Sequence, residues 1–90
     1  MRKKTTPTDI AAWMLAEVER DLLYQDIAAA GIEEYFGEEF VYANENGNPA
    51  IRKDVLAAFK NLSGDRVVWE RGDRLWRLRE GLDEPGRQQY

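Results

Sequence analysis

Apolar residues recur along the chain at two spacings, and the switch between them marks out the elements. From Pro7 to Asp21, Ile10, Met14 and Val18 repeat at i+4 with Trp13 alongside, the spacing of one buried helix stripe. Thr6 before Pro7, with Asp9 three residues after Thr6, makes a start signal: the hydroxyl caps, the proline fits the first helical position, and the carboxylate reaches back. Leu22-Leu23-Tyr24 is too short for a firm assignment and could form a single edge strand. Gln25 to Gly37 returns to helical spacing. Ala28, Ile32, Tyr35 and Phe36 share its face, Gln25 or Asp26 can cap it, and Gly37 suits the position just past its end. Gly31 within this helix costs about 1 kcal/mol against alanine, which points to close packing at that position.

After an extended stretch, Asn44-Glu45-Asn46-Gly47-Asn48 is a dense turn signal. Asn48 can then cap a third helix with Pro49 at its first position and Ile51, Val55, Phe59 and Leu62 on the buried stripe. Its opposite face carries Lys53, Ala57, Lys60 and Asn61. Beyond Ser63-Gly64-Asp65 the period changes to two. In "VVWERGDRLWRLR", Gly72-Asp73 as the centre of a type II′ turn sets Trp69 opposite Trp76, Val68 opposite Arg77 and Val67 opposite Leu78. Val67, Trp69, Trp76 and Leu78 then face the helices. Arg66, Val68, Glu70, Leu75, Arg77 and Arg79 face water or a partner. The expected architecture is one α+β domain over residues 7–80, three helices closed by a C-terminal antiparallel β-hairpin. Residues 1–6 and 81–90 are expected to be disordered ends.

Composition narrows the chemistry. The 90 residues suit a single domain and include no His and no Cys. That removes thiol nucleophiles, His-based triads and the usual zinc ligand sets. Ser63 is the only serine and sits in a turn. A non-catalytic protein without cofactor or metal is expected. Aligning Gly47 with the glycine of an EF-hand loop puts Tyr42 and Lys53 at the end ligand positions, so the asparagine stretch is a turn and not a calcium loop. Arg71-Gly72-Asp73 matches an integrin-type tripeptide, but the turn accounts for its Gly-Asp. No run of 18 apolar residues and no signal-peptide pattern occurs, so a cytoplasmic protein away from the membrane is expected.

Charge is divided along the chain. Residues 1–51 hold four Lys/Arg and ten Asp/Glu, and residues 52–90 hold nine and seven, for a net charge of −4. An acidic front and a basic back imply a polarised surface. "DIAAWMLAEV", "AIRKDVLAAFKNL" and "VVWERGDRLWRLRE" together resemble the winged helix-turn-helix, most closely the small bacterial type found in the δ subunit of RNA polymerase. The chain also resembles an uncharacterised family of short bacterial proteins with an Asn-Glu-Asn-Gly-Asn turn before the third helix. The resemblance implies a winged-helix-like fold and a regulatory module that binds DNA weakly. Lys53, Lys60, Arg66, Arg77 and Arg79 would position phosphates, and Asn61 could read adenine. A second reading is a protein-interaction module in which Glu33, Glu34, Glu38 and Glu39 meet a basic partner or a second copy.

Overall fold

A computed structural model describes residues 4–80 and the backbone of Gln88–Gln89. The elements run α1 (Pro7–Arg20), β1 (Leu23–Tyr24), α2 (Gln25–Tyr35), a 3-10 turn (Glu38–Phe40), β2 (Val41–Ala43), β3 (Pro49–Ile51), α3 (Lys53–Ser63), a second 3-10 turn (Gly64–Arg66), β4 (Val67–Glu70), β5 (Leu75–Leu78) and β6 (Gln88–Gln89). Strands β1, β5, β4 and β6 form one sheet in that order, with β4–β5 antiparallel and β6 parallel to β4. β2 and β3 make a separate antiparallel ribbon. Three helices with a C-terminal hairpin that pairs back onto β1 form an α+β arrangement consistent with a winged-helix-like fold. The expected disordered ends fall largely outside the described residues; within the C-terminal one, Gln88–Gln89 pair with Trp69–Glu70.

α1 starts as its sequence requires. Thr6 Oγ1 accepts from the Asp9 N–H at 3.2 Å, and Asp9 Oδ2 accepts from the Thr6 N–H at 3.0 Å, which closes the capping box. Ile10, Met14 and Val18 are buried with Ala11 and Leu15, and α1 packs chiefly on α3. Val55 and Phe59 of α3 reach the same core, where Phe59 meets Trp76 edge-on at 5.5 Å between ring centroids. The hairpin register is the expected one, with Trp69 opposite Trp76 at a centroid distance of 4.7 Å.

Several local expectations are corrected. Pro49–Ile51 is a strand, and α3 begins at Lys53 with Arg52 as its cap residue. Asn48 caps nothing, because Asn44 Oδ1 accepts from the Asn46 and Asn48 N–H groups and closes a β2–β3 hairpin. Pairing against Val41 and Tyr42 then buries Ala50 and Ile51, and Pro49 sits at a strand start, where its missing N–H is tolerated. Ser63 takes the third buried place on α3, after Val55 and Phe59, donating to the Phe59 carbonyl at 2.7 Å, and Leu62 is exposed. Tyr35 is exposed too.

The wing turn spans four residues. The Arg74 N–H donates to the Glu70 carbonyl, Arg74 itself is left-handed at φ 55°, and Gly72 has no positive φ, so the turn is not type II′. Both turns are centred on Gly72-Asp73, which is why the register survives. The Arg74 carbonyl accepts the Gln25 N–H at 2.9 Å. That supplies a partner for an N–H at the start of α2, which has no side-chain cap. Neither Gln25 nor Asp26 is the cap residue, which is Tyr24, but Asp26 Oδ1 accepts the Ile27 N–H at 2.8 Å within the first turn. At the other end of α2, Gly37 lies at φ 124° and donates to the Ile32 carbonyl, a backbone geometry that favours glycine.

Candidate functional site

The hairpin arginines are held by their own chain. Arg77 Nε lies 3.3 Å from Glu70 Oε2 on one sheet face, and the two side chains are only 16% and 20% exposed. Val68 and Leu75 share that face and are buried at 0% and 2%, outside the central core cluster. The face expected to meet water is thus a second covered layer. Arg66 and Arg79 come together at its end, where the Arg79 N–H donates to the Arg66 carbonyl. Arg66 pairs with Glu19 at 3.5 Å, and Arg79 Nε donates to the Asp65 carbonyl at 2.6 Å. Three acids, Glu19, Asp65 and Glu80, share the depression that these two arginines line. Such a site offers little net attraction to phosphate.

On α3 the outward face is as expected: Lys53, Lys60 and Asn61 are exposed. They lie on one element, separate from the internally paired hairpin arginines. Arg52, next to them, is spent. It forms two bonds to Asp54, at 2.6 and 3.1 Å, donates to the Glu39 carbonyl at 3.2 Å, and stacks over Phe40 at 5.2 Å.

The acids are arranged differently. Glu33 and Glu34 on α2, and Glu38 and Glu39 in the following 3-10 turn, are all exposed. The ion pairs formed by Glu17, Asp54, Glu19 and Glu70 do not include these four. Glu33 and Glu38 border an open depression with Tyr42. Glu34 turns to the other side of α2. Among the described residues no three acidic side chains gather to hold a metal ion, and no helix is long and apolar enough to cross a membrane.

On that other side lies a feature that the sequence reading missed. A groove of about 510 Å³ runs between α1 and α2, lined by Trp13, Leu22, Ile27, Ala30, Gly31 and Tyr35. Ile27 and Tyr35 are 62% and 65% exposed, and Leu22 is 47% exposed. Trp13 forms part of the lining, braced edge-on by Tyr35 at 6.0 Å and Phe36 at 5.8 Å. Gly31 admits the ring: a Cβ there would lie 2.6 Å from Trp13 Cη2. Glu17, Asp21, Glu34 and Arg20 complete the lining, and Arg20 is paired to Glu17 at 3.1 Å. The signal was present in the sequence, since Ile27, Ala30, Gly31 and Tyr35 follow helical spacing on a face that Ala28 and Ile32 do not occupy.

Residues 6–78 match the model of a family of unknown function, DUF6953. No curated protein and no solved structure matches the chain.

Proposed function

The chain belongs to the DUF6953 family of unknown function, and we propose that it is a non-catalytic interaction module whose acidic α2 surface receives a basic protein partner. One contrast carries this reading. Arg66 and Arg77 are paired with Glu19 and Glu70 and Arg79 donates to the Asp65 carbonyl, whereas Glu33, Glu34, Glu38 and Glu39 stand exposed and form no ion pair among the described residues. Uncompensated charge of one sign steers association with a partner of the opposite sign. The winged-helix resemblance supports a regulatory role, carried out in the cytoplasm.

The test is affinity capture with the wild-type chain and with a variant reversed to lysine at all four positions, both checked for unchanged thermal midpoints. Partners retained by the wild type at about 50 mM salt and lost from the variant support the reading, as does their release near 0.5 M salt. Equal capture by both chains refutes it.

Weak DNA binding is the second reading, favoured by the exposure of Lys53, Lys60 and Asn61 on α3. Arg66, Arg77 and Arg79 would add less, since each already serves an internal contact. Duplex titration at about 50 mM salt should then give binding that weakens steeply with salt and falls in Lys53→Ala/Lys60→Ala. No binding under those conditions ends this reading.

A further inference from the structure

We infer that the groove between α1 and α2 seats an amphipathic helix of a partner protein, with an apolar stripe against Ile27, Trp13 and Tyr35 and lysine or arginine at its margins. This rests on the interaction reading above and adds the place and the chemistry of the contact.

The shape selects a broad occupant. Ile27 and Tyr35 are each more than 60% exposed, so they stand above the lining. A small molecule sunk between the helices would leave both wet. A partner long enough to lie along α2 covers them. They are eight residues apart on one helix, about 12 Å of rise, and a stripe at i, i+4 and i+7 on a second helix spans about 10 Å. Gly31 between them lets the groove extend down to the Trp13 ring.

Charge selects the margins of that helix. Among the described residues the lining holds Glu17, Asp21 and Glu34 against Arg20. A second copy of the chain is disfavoured for this reason: a two-fold contact sets the same patch against itself and would bring acid to acid. Basic residues flanking an apolar stripe satisfy both walls at once.

The probes are three synthetic helical peptides of about 18 residues: a leucine stripe with lysines, the same stripe with glutamates, and an alanine stripe with lysines. Each is titrated into the 15N-labelled chain by NMR. The leucine–lysine peptide should saturably shift the Trp13 indole and the Ala30 and Gly31 amides. Its affinity should fall about tenfold in Ile27→Asp, whose residue is already exposed and whose fold is checked by the unmoved Trp76 indole. The leucine–glutamate peptide should bind at least about tenfold more weakly. If both lysine peptides bind equally and shift only Glu33, Glu38 and Glu39, the groove assignment is overturned while the acidic-partner reading stands. If no lysine peptide shifts any residue, both fall. A concentration-dependent dimer by sedimentation, dispersed by Ile27→Asp, makes a second copy the occupant and overturns the assignment.

Discussion

Gly31→Ala sets two effects of opposite sign against each other. In the interior of α2, alanine should stabilise the helix by about 1 kcal/mol. The new methyl, however, would stand 2.6 Å from Trp13 Cη2 and 3.0 Å from Cζ2. The ring must retreat by about 0.8 Å to regain an ordinary 3.4 Å contact, and it packs edge-on against Tyr35 and Phe36. Overpacking of that kind costs about 1–3 kcal/mol. The net effect is a loss of about 0–2 kcal/mol, and in a domain of this size each kcal/mol lowers Tm by about 4–8 °C. Urea and thermal denaturation of four chains, namely wild type, Gly31→Ala, Trp13→Leu and the double variant, isolate the clash. With the ring gone, Gly31→Ala should become stabilising by up to about 1 kcal/mol, and the coupling between the two sites should reach about 1–3 kcal/mol. If Gly31→Ala stabilises the chain by about 1 kcal/mol with Trp13 in place, the account of why glycine sits there is wrong.

Other consequences are simpler to measure. Thr6→Ala removes one half of the α1 capping box and should cost about 1 kcal/mol in chemical denaturation. Gly72→Ala should be close to neutral, within about 0.5 kcal/mol, because Gly72 has no positive φ and nothing lies within 4 Å of its added Cβ; a type II′ turn would instead give a loss of more than about 1 kcal/mol. Arg77→Ala strands Glu70 on a largely covered face and should cost about 1–3 kcal/mol of stability, read by thermal melting, while lowering any affinity for duplex DNA less than Lys53→Ala/Lys60→Ala does.

Period and turn chemistry were strong where one local signal decided the outcome. The capping box at Thr6 and Asp9, the helical stripe of α1 and the Trp69–Trp76 register all depend on residues close in sequence or on an alternation with one burial solution. The close approach at Gly31 was likewise legible as a position, although only the fold supplies Trp13 as its cause. Failures arose where a distant partner competed. Asn48-Pro49 is a sound helix start taken alone, but Val41–Ala43 offers Pro49–Ile51 a strand to pair with, and that pairing buries Ile51. The α2 start looked in need of a side-chain cap, and the wing turn nearly fifty residues away provides the Arg74 carbonyl instead. The arginine-rich face was legible in its alternation, but its burial was not, because periodicity assigns residues to faces and is silent on what lies over them.

The inserted β2–β3 ribbon also bears on which helix can meet a partner. In a compact helix-turn-helix, a short turn braces the second helix against the third and presents the third outward. Here the ribbon separates them in sequence, α3 packs chiefly on α1, and α2 is held by β3, the following 3-10 turn and the wing tip. The side of α2 that faces the end of α1 is left uncovered, and there Ile27 and Tyr35 remain exposed. The same rearrangement places Arg52 where Asp54 and the Glu39 carbonyl take up its donors, so the start of α3 gives up a base that a reading helix would use. Partner contact should therefore concentrate on α2. Alanine at Lys53 and Lys60 and charge reversal at Glu33 and Glu34 then act on separate elements, and their effects on any one partner should be additive within about 0.5 kcal/mol. Strong coupling between the two pairs would mean that one ligand spans both helices, contrary to the division of surfaces described above.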